Sequence, residues 1–198
     1  MLGDGYHDVP AGKLATIVTY LEMREPVAAR PASLPAGVAF EPVEAAEPDW
    51  YRDLFLRVGG LGWLWSSRLE MADGELSGLL HHPQVALYTL RRQGRAEAIL
   101  ELDFRNAGEC ELAFFGLAPA LIGSGAGRYL MNRAIALAWA RPINRLHVHT
   151  CTLDHPGALS FYRRSGFTPL RQQVEIADDP RLSGLLPRTA GPHVPVFD

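Results

Sequence analysis

The chain has 198 residues, of which 47% are hydrophobic and 21% charged, values typical of a globular protein of about one domain. Its 19 Lys and Arg residues against 22 Asp and Glu residues give a net charge of −3, which disfavours nucleic-acid binding through a broad basic face. Two cysteines cannot form a disulfide framework, and neither a signal peptide nor a run of roughly 18 apolar residues is found, so we expect a cytoplasmic protein that binds neither nucleic acid nor a membrane.

Residues 1–36 are predicted to form an N-terminal arm. An apolar, β-rich run at residues 14–21 predicts a strand, and the segment that follows has the composition of a linker because prolines recur among alanines. A short strand is expected at residues 37–43. We expect the strand of the arm to join the edge of a sheet, either of this chain or of a second copy.

The main domain is predicted over residues 37–177. Apolar residues recur on one helical face over residues 49–58, and the pair of glycines that follows is expected to end this helix. A loop with Trp63 and Trp65 comes next, and then a second helix at residues 73–82.

Strand-like and helical patterns alternate through the rest of this domain, before a proline-rich tail at residues 178–198. Three strands joined by hairpins precede a β-α-β crossover, a short helix and a last strand. The sequence therefore predicts an α/β (α+β) fold with a mixed, mostly antiparallel central sheet and helices on both faces. Strands are predicted at residues 85–91, 97–104, 111–117, 145–152 and 167–176, and helices at 127–141 and 156–165.

A glycine-rich loop, residues 122–127, lies between the third of these strands and the helix that follows it. Glycines let backbone N–H groups approach an anion, and the helix N-terminus adds the positive end of its dipole. The Lys-Ser/Thr ending of a P-loop is missing, and the antiparallel strands before the loop disfavour a dinucleotide fingerprint. Two interpretations remain at this point: a pyrophosphate-binding loop, and glycines that serve only tight packing between helix and strand.

A second motif follows the fourth strand. Residues 155–167 have the frame x-Ala-x-x-x-Tyr-x-x-x-Gly-Phe, with Ala158 and Tyr162 at its fixed positions. Together with the glycine loop, this segment resembles the GNAT (general control-related N-acetyltransferase) superfamily over about residues 49–176. The two motifs occur in that family's order and spacing, and the family fold matches the predicted order of elements.

The resemblance implies that acetyl-CoA is the co-substrate. Backbone N–H groups around Gly116 would contact the pantetheine arm and the thioester carbonyl, and the glycine loop would hold the pyrophosphate. Ile122 replaces the Arg or Gln of the family pattern and His155 replaces its Asn, but the donors of the loop are backbone groups, so we expect coenzyme A to bind. The residues predicted to bind it are Phe115, Gly116, Leu117, Ile122, Gly123, Ser124, Gly125, Ala126, Gly127, Arg128, His155 and Ala158.

Three residues are candidates for proton transfer. The resemblance places Tyr162 near the sulfur as general acid, and Glu111 where some members have a catalytic glutamate. A period of two puts Glu111 on one face with Phe115, and burial is expected to raise the pKa of its carboxyl toward that of a base. His149 is the alternative base, because the pKa of an imidazole needs a smaller shift to act as a base at neutral pH. His147 shares its strand face, but no third ligand is found, so we expect no metal.

By the resemblance, the acceptor pocket involves Trp63, Trp65 and Arg68. Aromatic rings can hold an amine by cation–π contact, and packing of these rings on the sheet is the alternative. The sequence thus predicts an N-acetyltransferase that transfers an acetyl group from acetyl-CoA directly to a small-molecule or peptide amine in a ternary complex. The alternative is a non-catalytic acyl-CoA-binding or sensor domain. The acceptor's identity, the acyl chain and a homodimer are left open.

Overall fold

The structure, a computed structural model, describes residues 3–198. An eight-stranded mixed sheet carries helices on both faces, which confirms the predicted fold class. The strands are β1 (Lys13–Met23), β2 (Val38–Pro42), β3 (Val85–Arg92), β4 (Arg95–Ala96), β5 (Ala98–Asp103), β6 (Glu109–Leu117), β7 (Arg145–Cys151) and β8 (Thr168–Asp178). The helices are α1 (Pro48–Phe55), α2 (Leu61–Trp63), α3 (Ser67–Glu70), α4 (Asp73–Leu80), α5 (Ala126–Trp139) and α6 (Ala158–Arg164).

The strands lie in the order β2-β3-β5-β6-β7-β1-β8, with the short β4 paired to β3. Neighbouring strands are antiparallel except β6 and β7, which are parallel because α5 connects them as a crossover. Two apolar clusters cover the sheet, one under α5 and α6 and the other under α1 and α4. No helix within residues 3–198 is long and apolar enough to cross a membrane.

The strand of the N-terminal arm is present, but the prediction that it joins a sheet edge is wrong. β1 is inserted between β7 and β8 and pairs with both. Leu14, Thr16 and Val18 are buried on one of its faces, and Leu21 and Met23 are buried on the other toward its end, as expected of a strand inside a sheet. As a consequence β8 becomes the edge strand, and all of its residues are exposed.

The first helix does not end at its glycine pair, contrary to the prediction. The chain passes through one π-helical turn, Leu56–Gly60, continues as α2, and leaves the helical conformation at Leu64 with φ of 59°. A Cβ atom on Gly59 would overlap the ring of Trp65. Gly59 therefore serves the close approach of an indole ring and not a helix stop.

The C-terminal tail packs on the domain. Its Leu186 and Ala190 form a small buried cluster with Leu14 of β1 and Leu64. The guanidinium of the buried Arg181 donates to Asp179 and to tail carbonyls, so the irregular segment is held by a satisfied buried charge. The tail thus covers one face of β1 and the end of α2.

Candidate functional site

The divergence of β6 and β7 opens a groove in the middle of the sheet. The two strands pair only between residues 109–111 and 145–147, and beyond those pairs their backbones separate. A groove of about 670 Å³ runs from the glycine-rich loop through this divergence to β1 and β8. Fourteen of the eighteen predicted site residues line this groove, and the four that do not are Arg68, Glu111, Ser124 and Ala126.

A β-bulge in β6 changes which side chains share a face. β5 pairs Glu101 with Phe114 but Leu102 with Leu112, so Ala113 is an extra residue in β6. Phe115 packs with the cluster under α5, whereas Phe114 packs with the cluster on the opposite face. The prediction that Glu111 shares a face with Phe115 is therefore wrong, because the period-two rule holds only for a strand without a bulge.

Gly116 lies on β6 next to the divergence and lines the groove, as do Phe115 and Leu117. A Cβ atom on Gly116 would overlap the side chain of Val58 and come within 3.1 Å of the ring of Trp65. Only glycine allows β6 to lie this close to the π-helical turn. The backbone predicted to contact the pantetheine arm is therefore accessible from the groove.

The glycine loop forms one end of the groove. Gly123 and Gly125 have φ of 78° and 88°, and a Cβ atom at either position would meet no atom within 4 Å. Their backbone conformation, and not a lack of space, requires glycine. Because α5 begins at Ala126, the amides of its first turn and its positive dipole end lie at the same end of the groove.

The structure divides the predicted loop residues into two groups. Ser124 and Ala126 do not line the groove, since the Ser124 hydroxyl donates to the carbonyl of Leu121 at 2.6 Å and Ala126 is buried. The Ser124 hydroxyl and the Ala126 methyl group therefore stabilise the loop on the side away from the groove. The residues that do line the groove are Ile122, Gly123, Gly125, Gly127 and Arg128.

Three arginines surround this end of the groove, and of these only Arg128 was predicted from the sequence. Arg30 comes from the N-terminal arm, Arg128 from α5 and Arg164 from the end of α6. Asn132 on α5 holds the arm in place, because its side-chain amide donates to the carbonyl of Arg30 at 2.6 Å. Within residues 3–198 no carboxylate lies within 4.0 Å of any of the three guanidiniums. Three uncompensated positive charges around a concavity favour an anionic ligand.

Tyr162 lies in the middle of the groove wall. Its ring packs edge-on against Phe115, Phe161 and Phe167 and is almost fully buried, yet the residue lines the groove. Burial, and to a smaller degree the charge of Asp154, raise the pKa of its hydroxyl. At neutral pH the hydroxyl is therefore protonated and available as a donor.

His149 and Glu111 form a pair on neighbouring strands. Nδ1 of His149 lies 3.4 Å from Oε1 of Glu111. This contact lowers the pKa of Glu111, so the prediction that burial would raise it is wrong: the imidazole outweighs the loss of water. The same contact raises the pKa of His149, and the charges of Asp154 and Glu175 act in the same direction. His149 lines the groove and Glu111 does not.

His147 is turned toward a different carboxylate. Its Nε2 lies 3.7 Å from Glu109, and burial lowers the pKa of its ring. Within the described residues, 3–198, no group of three or more His, Cys, Asp or Glu side chains is arranged to hold a metal ion.

Two of the residues predicted for the acceptor pocket line the other end of the groove. Trp63 lies between the rings of His155 and His193, at centroid distances of 5.1 and 5.3 Å. Trp65 donates from Nε1 to the Asp154 carboxylate at 2.8 Å. The contact of Trp63 with His193 was not predictable locally, because the C-terminal tail returns from a distant part of the sequence.

Arg68, the third predicted acceptor residue, does not line the groove. Its guanidinium donates to the fully buried Glu101 at 2.6 Å, and the hydroxyl of Tyr51 donates to the same carboxylate at 2.6 Å. A buried carboxylate needs such partners, so Arg68 joins α3 to the sheet.

His155 and Ala158 lie at the start of α6, and both line the groove. The ring of His155 accepts a hydrogen bond at Nδ1 from the backbone N–H of Gly157 at 2.9 Å. His155 therefore organises the turn that leads into α6 and also presents its ring to Trp63.

Charges of opposite sign are segregated along the groove. The three arginines lie near the glycine loop, and the carboxylates of Asp154, Glu175 and Asp178 line the groove where it reaches β1 and β8. Asp154 accepts from Trp65 and Thr150, and Asp178 pairs with Lys13 at 2.6 Å. The groove can therefore hold an anionic molecule at one end and a cationic one at the other.

Comparisons with known proteins show which family and which fold the chain shares. A model of the acetyltransferase (GNAT) family matches residues 44–167. No curated protein matches the chain significantly. Among solved structures, the chain is similar to a GCN5-related N-acetyltransferase from Sphaerobacter thermophilus, with a TM-score of 0.60 and 14% identity over 90% of this chain and 54% of that one.

Two further structures share the fold. One is a GNAT-family acetyltransferase from Novosphingobium aromaticivorans, with a TM-score of 0.57 and 18% identity over 87% of this chain and 70% of that one. The other, from Elizabethkingia anophelis, has acetyl-CoA bound, with a TM-score of 0.52 and 18% identity over 69% of this chain and 80% of that one. The chain spans about half the length of the Sphaerobacter protein.

Proposed function

The chain belongs to the acetyltransferase (GNAT) family, and on that premise we propose that it transfers the acetyl group of acetyl-CoA directly to an amine. The observation that carries the proposal is one continuous groove with three arginines and a glycine loop at one end, carboxylates at the other, and Tyr162 and His149 on its walls. Both substrates can occupy such a groove together, as direct transfer requires.

The glycine-loop end suits the phosphates of coenzyme A. Backbone amides at Gly123 to Gly127 and the start of α5 supply neutral donors, and Arg30, Arg128 and Arg164 supply charge. From this end the pantetheine arm would enter the divergence of β6 and β7, where the backbone around Gly116 is accessible from the groove.

The transfer needs one base, one acid and donors for the carbonyl oxygen. His149 takes a proton from the ammonium form of the acceptor, and the free amine nitrogen then attacks the thioester carbon. A bond forms between nitrogen and carbon, the carbon–sulfur bond breaks, and the Tyr162 hydroxyl donates its proton to the leaving sulfur. Backbone N–H groups of β6 near Phe115 and Leu117 stabilise the negative charge on the oxygen during the attack.

The acceptor end supports an amine as the substrate. An amine reaches the groove as an ammonium ion, and the carboxylates of Asp154 and Glu175, which form no ion pair within residues 3–198, lower the energy of a cation there. Trp63 adds an aromatic face for cation–π contact. Both a small molecule and a peptide are compatible with this open end. The two cysteines are unpaired, which supports the cytoplasm as the compartment.

Thiol release from acetyl-CoA in the presence of a panel of amines tests the proposal. The panel includes amino acids, peptides with a free N-terminus, lysine side chains and polyamines, and product mass is measured to locate the acetyl group on nitrogen. We expect release that depends on the amine. If calorimetry shows that coenzyme A binds while no amine releases thiol, the protein is a non-catalytic acyl-CoA-binding or sensor domain and the proposed activity is wrong.

A further inference from the structure

The strand β8 is an unprotected edge. It is 11 residues long, pairs only with β1, and is exposed along its whole length. Val174 and Ile176 are each about half exposed on one face of β8, and Ile17 of β1 pairs with Val174 and is exposed beside it, so this face has exposed apolar side chains. Long apolar edge strands invite pairing with another strand.

The usual devices that protect an edge are weak in β8. The strand has no lysine, and its proline, Pro169, lies next to its start. The irregularity in its pairing with β1 lies at the same end, between the partners of Tyr20 and Leu21. The stretch from Arg171 to Asp178 is therefore regular, free of proline and open to a partner strand.

The charges of β8 are complementary to a second copy of β8. Arg171 and Glu175 lie four residues apart on the same face, and neither forms an ion pair with another part of residues 3–198. The guanidinium of Arg171 lies over the ring of Tyr20, at 3.7 Å from its centroid. An antiparallel copy whose two-fold axis passes through Gln173 would place Arg171 opposite Glu175 twice.

We propose that two copies of the chain form a dimer by antiparallel pairing of β8 about Gln173. The pairing joins the two sheets into one and forms two cross-strand ion pairs between Arg171 and Glu175. Shifting the axis to Gln172 or Val174 places each of these charges opposite an uncharged residue, so the charge pattern selects the register. Glu175 lines the groove, and the partner's Arg171 would lie beside its carboxylate end.

Charge reversal with exchange tests this dimer and its register. Arg171→Glu makes both paired positions acidic, and Glu175→Arg makes both basic, so each variant alone sets like charges opposite each other. Mixing the two variants restores both ion pairs in a heterodimer, and the double variant restores them in a homodimer. Molecular mass is measured by light scattering on a size-exclusion column over a concentration series, with circular dichroism to verify folding.

We expect a dimer for the wild type, a dissociation constant raised about tenfold or more in each single variant, and recovery in the mixture and in the double variant. Arg95→Glu, an exposed arginine on β4, is the matched control and should leave the dimer unchanged. A monomeric wild type at every concentration overturns the proposal. Single variants that dimerise like the wild type, or a mixture that does not recover, overturn the register. Because mass is measured without acetyl-CoA, the result is independent of the proposed activity.

Discussion

The two ends of the groove are built in different ways. The glycine-loop end is mostly local: Gly123, Gly125 and the start of α5 follow each other in the chain, and their function depends on backbone conformation. The carboxylate end is assembled from distant segments, with Trp63 from α2, Asp154 after β7 and Glu175 from β8. Binding of phosphate by backbone N–H groups needs few specific side chains, so one short segment of the chain can form that end of the groove. The end that selects the acceptor needs side chains from several segments, so it depends on tertiary packing.

The transfer step lies between the two ends, and its loss is the largest effect that we expect. Tyr162→Phe removes the proton donor and preserves the packing of the ring. We expect kcat for thiol release to fall about 100-fold or more, with the affinity for coenzyme A unchanged. Tyr129→Phe, on α5 and outside the groove, is the matched control. An unchanged kcat would show that Tyr162 is only a core side chain.

A substitution that disturbs the backbone conformation of the glycine loop tests the phosphate-binding end of the groove. Gly125→Val forces a β-branched residue toward φ of 88°, a region that costs about 2 kcal/mol or more for such residues, so the loop relaxes to another conformation. Binding must then restore the original one, and we expect the dissociation constant of coenzyme A to rise about 30-fold.

Isothermal calorimetry measures this effect. Gly74→Val, at an open helical position without a positive φ, is the control for the same substitution away from the groove. Normal coenzyme A binding by Gly125→Val would remove the loop from the phosphate site.

The sequence predicted most of the glycine-loop end of the groove and less of the carboxylate end, for physical reasons. The glycine loop and the Tyr162 motif depend on short-range spacing, which survives in a linear pattern. Arg30 lies in a segment with linker composition, and its contacts with the amide of Asn132 and the carbonyl of Arg164, both more than a hundred residues away, bring it to the groove. A linear pattern holds no sign of such a contact.

Local rules also failed where packing overrode them. Gly59 looked like a helix stop, but it makes room for Trp65. The bulge at Ala113 reversed the expected face of Glu111, and the imidazole of His149 reversed the expected direction of its pKa shift. Each of these errors concerns a residue next to the groove, where strand irregularity and paired charges shape the site.

Arg30 is the exception to this contrast, because it comes from the N-terminal arm but lies at the glycine-loop end of the groove. Arg30→Ala removes one of three uncompensated charges, and we expect the affinity for coenzyme A to fall about fivefold to tenfold, with a weaker dependence on salt. Arg163→Ala, on α6 but not lining the groove, is the matched control. Calorimetry at two ionic strengths measures both effects. Equal affinities for Arg30→Ala and the wild type would show that the arm serves only to hold the fold.

The smallest expected effect decides between the two candidate bases. His149 is active as a base when neutral, so kcat/KM should rise with pH through the pKa of its imidazole. The carboxylate of Glu111 raises that pKa, and therefore Glu111→Gln should move the rising limb to lower pH and change the plateau only a few-fold. If Glu111 were the base, its lowered pKa would put the limb in the acid range, and Glu111→Gln would abolish activity at every pH. The pH profile of His149→Gln should lack the rising limb. Comparison of the three profiles assigns the base, because a carboxylate that only positions His149 shifts the limb without abolishing the reaction.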